Sequence, residues 1–460
     1  MQTKKLLLGV FMLILSGSIF AQQGGWTLED CINYALENNI RIKQSELTTE
    51  SFKTDLLQKK LDLLPSLNGT AQGSWSSGRT PDPQTNLYTT ESSKNMYFGL
   101  NAGVTIFNGL QKFNTIKKAI IDFQASQYDS DKMRDDISLL IASAYLQILF
   151  SKELVKTAND QVEITTQQIN RTNKLVEAGT LAKGDLLDMQ SQGAQEEVNL
   201  INAENQLTIA YLDLSQILDL AASEAIEVDI PGIDIKQTPT VYLVDQVYSY
   251  ALIHLPEIKS SELRLESAMR TLSIARGSRS PSLTAGGSWN TNWSDRINAY
   301  DLSNPLNPIN LGTMPLNDQI KNNENKGLSL TLSVPIFNGF QVSNYISQSR
   351  INVDYANYDL ELTRDNVRKT VEQAYADASA SYKTYMANEK SLDAFREAFK
   401  YMEQKFNVGI VNSLDYNTAK TQLTRAESNL LSAKYDFVFK TKVLDFYMGK
   451  PISLDDFIVK

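Results

Sequence analysis

Few side chains in this 460-residue chain could make or break bonds. His254 is its only histidine and Cys31 its only cysteine. A single cysteine allows neither an intrachain disulfide nor a thiolate metal site. No cluster of His, Cys or carboxylates has metal spacing, and no glycine loop has the phosphate-binding pattern. No serine or cysteine nucleophile has a histidine partner in a recognisable motif. His254 lies beside Pro256 in a helix-start region and reads as structural. The chain therefore predicts no enzyme, no cofactor and no metal. What remains is a pair of carboxylates, Asp185 and Asp415, each separated by five residues from a preceding glycine, Gly179 or Gly409. Their chemistry is electrostatic. A glycine there permits the left-handed conformation that ends a helix, and an aspartate at the next helix start satisfies free amides. A net charge of −9 with scattered lysines argues against nucleic acid, which needs a basic face.

The elements that hold these aspartates are announced by a repeat. Ile106-Phe107-Asn108-Gly109 returns unchanged as Ile336-Phe337-Asn338-Gly339. Each copy closes an alternating run and opens a helical pattern. Gln111 and Gln341 stand three residues past the asparagines, as in a capping box. Tyr34-Ala35-Leu36 returns as Tyr250-Ala251-Leu252, and Pro65 as Pro281, at an offset of 216. Past the hairpin the offset is 230, carrying Phe107 to Phe337, Tyr145 to Tyr375 and Asp185 to Asp415. The 14-residue difference falls in the second hairpin loop, residues 294–325. A register held this long marks two copies of one unit.

The predicted organisation begins with a secretory signal peptide over residues 1–21: Lys4 and Lys5, an apolar run over 6–15, then small residues to Ala21. The first repeat covers 22–230, with a helix at 28–64, strands at 66–76 and 96–107, and helices at 109–178 and 184–220. The second covers 231–460, with a helix at 243–278, strands at 282–293 and 326–337, and helices at 339–408 and 413–448. Past the signal no continuous apolar run of about 18 residues is found, which speaks against a transmembrane helix. The strands are a different matter. Each alternates over about ten residues, the length of a tilted transmembrane strand. Leu328, Leu330, Leu332, Val334 and Ile336 are the clearest case. An open four-stranded sheet cannot sit in lipid, and barrels begin at about eight strands, so the chain must oligomerise to close one. A 70-residue helix reaches roughly 100 Å, which two shorter helices stacked end to end would match. The fold class is mainly α with a transmembrane β part, four long-helix columns and four amphipathic strands per chain. Trp75, Trp289 and Trp293 at the loop ends, with Phe107 and Phe337 at the helix ends, fit two aromatic girdles. An extended coiled-coil structural or adhesin-like surface protein is the alternative, and it leaves the strands unexplained.

Over essentially its whole mature length the chain resembles the TolC-type outer-membrane efflux proteins. The resemblance is carried by Trp26-Thr27-Leu28-Glu29-Asp30, by Tyr34-Ala35-Leu36-Glu37-Asn38-Asn39, by the paired Ile-Phe-Asn-Gly elements, and by the Gly179/Asp185 and Gly409/Asp415 turns. It implies a homotrimer whose twelve strands form an outer-membrane barrel continued by a periplasmic helical tunnel. It implies export from an inner-membrane pump through a periplasmic adaptor docked at the tunnel tip. On this sequence the tips are Gly179, Thr180, Leu181, Gly409, Ile410 and Val411. The strand-to-helix junctions are Phe107, Asn108, Gly109, Phe337, Asn338 and Gly339. Three copies of Asp185 and Asp415 would ring an aperture, and acidic rings favour cations. Val411 stands where the family has an arginine, and Thr418 where it has a second aspartate, so the family's closing bonds do not carry over. A wide duct selects little, which leaves drug, metal, bile salt and peptide cargo all open.

Overall fold

A computed structural model describes residues 25–81, 86–221, 226–233, 235, 243–301, 303 and 309–457. The expected signal peptide lies outside the described residues. The first half runs α1 (Leu28–Asn38), α2 (Ile40–Leu61), β1 (Ser66–Pro81), β2 (Tyr88–Phe107), α3 (Gln111–Glu177) and α4 (Lys183–Ile217). The second runs α5 (Val244–His254), α6 (Pro256–Gly277), β3 (Ser282–Ser294), β4 (Asn298–Asp301), β5 (Ile309–Thr313), α7 (Leu316–Asn322), β6 (Asn325–Ser333), α8 (Gln341–Asn407) and α9 (Ser413–Tyr447). Four helices return with identical lengths of 11, 22, 67 and 35 residues. The duplication is thus structural as well as sequential.

Several element bounds differ from expectation, each for a local reason. The single helices expected at 28–64 and 243–278 are each two helices, broken at the equivalent residues Asn39 and Leu255. Both break residues are extended, with φ −60° and ψ 130° at Asn39 and φ −64° and ψ 131° at Leu255. Pro256 imposes this on Leu255, because a proline ring crowds a helical residue before it. Asn39 reaches the same break by capping. Its Oδ1 accepts from the amides of Arg41 (2.9 Å) and Ile42 (3.3 Å), and its Nδ2 donates to the Ile217 carbonyl at 2.7 Å. The polar stretch expected as a loop at 76–95 is largely strand, since β1 and β2 pair from Ser66–Gly103 out to Pro81–Tyr88. The strand expected at 326–337 stops at Ser333, two residues before Pro335, which has no amide for the ladder. The second hairpin loop holds β4, β5 and α7.

The chain divides into two compact units: one of residues 1–46, 129–258 and 363–460, and one of residues 47–128 and 259–362. The described residues of the first are helix and connecting chain. Its largest core packs Leu28, Cys31, Ile42, Ile141, Tyr145, Ile148, Leu149, Leu214 and Val438 together. A second cluster joins Val247, Ala251 and Ile258 to Val367, Val371 and Leu444. An 18-residue stretch of α3 reaches a mean hydropathy of 1.3. Among the described residues this is the one helix long and apolar enough, by composition, to cross a membrane, although no continuous apolar run of that length is present. Ile137, Ile141, Ile148 and Leu149 of α3 are buried in the helical core, as a soluble core helix requires.

The second unit holds a four-stranded antiparallel sheet in the order β1-β2-β3-β6. Its register decides which residues share a face, because directly paired residues point the same way. Leu67 pairs with Ala102, Ala102 with Gly287, and Gly287 with Leu328. Leu100 pairs with Trp289, Val104 with Ala285, Ala285 with Leu330, and Leu283 with Leu332. The alternating apolar residues of all four strands therefore lie on one face. The other carries Asn68, Asn101, Ser288, Thr284 and Thr331. The apolar face is bare: Leu328 is 95% exposed and Leu330 67%.

Candidate functional site

The two helix turns are built alike in backbone. Gly179 (φ +75°) and Gly409 (φ +76°) adopt the left-handed conformation. Gly179 donates to the Val176 carbonyl (2.9 Å) and Thr180 to that of Leu175 (2.9 Å). Gly409 and Ile410 repeat the pattern on Phe406 (3.0 Å) and Lys405 (2.9 Å). These are the paired bonds of a Schellman stop, which satisfy the last carbonyls of α3 and α8. Thr180 adds a hydroxyl bond to the Leu175 carbonyl at 2.8 Å.

The starts of α4 and α9 differ. Asn412 caps α9, its Oδ1 accepting from the amide of Asp415 at 2.8 Å, whereas Ala182 at the start of α4 makes no side-chain cap. Neither aspartate is the capping residue that its position suggests. Ser413, buried to 1% exposure, lies with its hydroxyl 2.8 Å from Asp185 Oδ1 and 3.2 Å from Asp188 Oδ2. Asp185 is thus half-buried and tied to the opposite turn, while Asp415 is exposed. Leu181 and Val411 are half-buried, and the bare apolar surface comes instead from Val408 (70%), Ile410 (71%) and Leu414 (65%). All three lie within the turn expected at 406–415, although of them only Ile410 was singled out as a contact residue.

Below the turns a buried polar node joins three helices. Lys420 of α9 is 3.1 Å from Glu196 of α4, and its ammonium also donates to the Gln161 carbonyl of α3 (3.3 Å) and to the Thr165 hydroxyl, which in turn donates to Glu196. Burial pulls the Lys420 ammonium below its usual range, against the pull of Glu196. Tyr416, one turn earlier, stacks on Phe406 with ring centroids 4.7 Å apart, and burial pushes its phenol up to about 12. The node was legible in principle. Glu196 sits between Met189 and Ala203 in a buried seven-residue repeat, and Lys420 lies on the stripe of Tyr416 and Leu423. A charge inside an apolar stripe must find a buried partner.

The strand-to-helix junctions are turns of their own. The first bond of the helical ladder in each copy is Asn114 to Leu110 (3.0 Å) and Asn344 to Phe340 (2.9 Å). Leu110 and Phe340, both at φ +62°, are therefore the cap residues, in place of the expected Asn108 and Asn338. Asn108 still contributes, its Oδ1 accepting from the Lys112 amide at 3.3 Å. Gly109 and Gly339 share a left-handed φ of +66° and +60°. Phe107 is 43% exposed and Phe337 78%, the latter edge-on to Phe340 at 5.8 Å.

Comparison with known proteins agrees with this architecture. The chain is 22% identical over 451 residues to the outer membrane protein TolC of Vibrio cholerae, covering 97% of this chain and 95% of that one. It is 23% identical over 441 residues to TolC of Escherichia coli K12, covering 95% and 84%. Among solved structures, the CmeC outer membrane channel of Campylobacter jejuni superposes with a TM-score of 0.75 at 16% identity, covering 93% of this chain and 88% of that one. The outer membrane channel MtrE of Neisseria gonorrhoeae, in its open state, gives 0.73 at 18% identity, covering 94% and 90%. Residues 31–219 and 247–450, one segment in each repeat, match the family described as Outer membrane efflux protein. The chain belongs to the outer membrane efflux protein family.

Proposed function

We propose that this outer-membrane efflux channel works as a homotrimeric exit duct, fed by an inner-membrane pump through a periplasmic adaptor that docks on the helix-turn tips. The observation that carries the reading is the register of the sheet. It puts the paired alternating apolar residues of the four strands on one bare face and Ser, Thr and Asn on the other, while leaving both edge strands, β1 and β6, open. A sheet with open edges cannot stand in lipid, since each unpaired backbone group costs several kcal/mol. Three copies joined edge to edge would give twelve strands with a polar lumen, within the range of closed barrels.

The duct itself performs no chemistry in this reading; direction and energy come from its partners. Gly179, Thr180, Leu181, Gly409, Ile410 and Val411, with exposed Val408 and Leu414 beside them, form the adaptor-contacting tips. Asp415 is the better aperture residue, being exposed, and Asp185 holds the two turns together through Ser413. Phe107, Asn108, Gly109, Phe337, Asn338 and Gly339 are the junction residues. The reading is tested by fractionating cells and weighing the detergent-extracted protein by native mass spectrometry. A trimer in the outer membrane fraction that conducts ions in planar bilayers is expected, and a soluble monomer or dimer would overturn it.

A further inference from the structure

The second hairpin exceeds the first, and its extra chain builds an element that the duct does not require. Between β3 and β6 the chain forms β4, β5 and the short helix α7. The last β3–β6 pair is Asn290 with Asn325, so α7 stands where β6 would otherwise continue beside β3. Gln319, fully buried, mimics a strand residue there. Its Oε1 accepts from the Ser294 amide (2.9 Å), and its Nε2 donates to the carbonyls of Ser294 (2.9 Å) and Met314 (2.8 Å). Asn323 donates to the Asn292 carbonyl at 2.8 Å. Two side-chain amides thus engage strand-edge groups that the short β6 leaves open. The insert also lies against the apolar face. Thr291 donates its hydroxyl to the Ile320 carbonyl (2.8 Å) and Trp289 its indole N–H to Glu324 (2.7 Å), and both residues share a face with Leu328 and Leu330.

Between insert and strands lies a shallow cleft of about 250 Å³, lined by Met96, Trp293, Thr313, Met314, Pro315 and Leu316. It is smaller than the roughly 300–1,000 Å³ of a site enclosing a whole small molecule, and five of its six lining side chains are apolar. Met96 and Trp293 belong to the apolar face, which in an outer-membrane barrel is covered by lipid. The charges around it are unequal. Arg296 pairs with Glu91 (3.3 Å), Lys326 with Glu324 (2.7 Å), and the Asp295 carboxylate accepts the Lys94 amide (2.9 Å). Asp318 sits in the first turn of α7, where helix amides favour it. The side chains of Lys94, two residues before Met96 on the same face, and Lys321 of α7 are exposed and have no ion-pair partner among the described residues. We propose that the cleft takes one acyl chain of a phosphorylated outer-membrane lipid, with Lys94 and Lys321 meeting its phosphate.

The purified oligomer would be reconstituted with phosphatidylcholine, phosphatidylglycerol or lipid A, and bound lipid counted by native mass spectrometry. Phosphatidylcholine has a phosphate but no net charge, so it reports acyl contact alone. About one anionic lipid per protomer should be retained above the phosphatidylcholine level, falling about fivefold for each of Lys94→Gln and Lys321→Gln. Retention of lipid A alone would identify the outer-leaflet glycolipid, and retention of both anionic lipids any phosphate lipid; each supports the site. Equal retention of all three lipids, or lysine variants that match wild type, would overturn it. Because the lysine variants leave the tips untouched, their conductance should be unchanged, which separates this site from the duct reading. A measurement that keeps every cleft-lining side chain uses Trp293 as sole tryptophan (Trp26→Phe/Trp75→Phe/Trp289→Phe) with brominated acyl chains. Quenching of Trp293 that weakens in Lys94→Gln and Lys321→Gln is expected, and unquenched fluorescence, or quenching that both variants leave unchanged, would also overturn the proposal.

Discussion

Asp185 and Asp415 occupy equivalent positions of two repeats, yet their side chains do different work. Asp185 shares the proton of a buried serine with Asp188, whereas Asp415 stands in solvent. Asp415→Ala should lower cation preference in planar bilayers with thermal stability unchanged. Ser413→Ala should cost roughly 1 kcal/mol of stability, the net worth of one hydrogen bond, and leave selectivity intact. A second residue offers a pH test. Burial, then the neighbouring Asp131 and Asp136, push the Asp135 carboxyl up to about 6, against the pull of Lys132; Glu257 adds to the rise. A raised carboxyl pKa means that the folded state holds the proton more tightly. The stabilisation is therefore full below about 4 and is lost as pH rises through about 6. Asp135→Asn should accordingly be more stable than wild type at pH 7 and no more stable at pH 4, as read by denaturant unfolding at both values.

At the scale of elements, a repeated sequence does not guarantee a repeated environment. A Cβ on Gly109 would come within 2.2 Å of the Gly277 carbonyl, but at Gly339 nothing lies within 4 Å. Both glycines are left-handed, so each alanine carries a conformational cost of about 1–2 kcal/mol. Gly109→Ala must in addition displace backbone. It should therefore lower the yield of folded protein sharply, while Gly339→Ala lowers the melting temperature by only a few degrees. Equal losses from the two variants would show that the close approach at Gly277 relaxes freely. Periodicity placed the long helices to within two residues of their ends. It missed the breaks at Asn39 and Leu255, because an apolar stripe passes through a one-residue interruption without losing phase.

For the whole molecule, the exposed apolar surface on the helices is ordered. Ile351, Tyr355, Tyr358 and Leu362 of α8 follow the 4-3-4 spacing of a coiled-coil seam and are 59–68% exposed. In the proposed trimer this seam is expected to meet a neighbouring copy, because apolar seams of this spacing pair with another helix. Tyr355→Lys/Tyr358→Lys should yield monomers by native mass spectrometry, with helical content by circular dichroism retained. Trimers at wild-type yield would mean that the seam lies outside the contact between copies.

The duplication and the strand-helix alternation were legible in the chain alone, because they rest on periodicity and spacing, which are properties of order along the chain; the family was legible there as a resemblance in motifs kept in order. The amphipathic character of the strands was legible there too. That their four apolar faces coincide required the paired sheet, since a one-residue slip in any register would have turned one strand's set to the opposite side. The tertiary structure likewise decided that Lys420 meets Glu196 and that Ser413 meets Asp185, pairs separated by more than 220 residues. Such partners are chosen by the packing of helices against one another, and no local pattern encodes which residues that packing brings within reach.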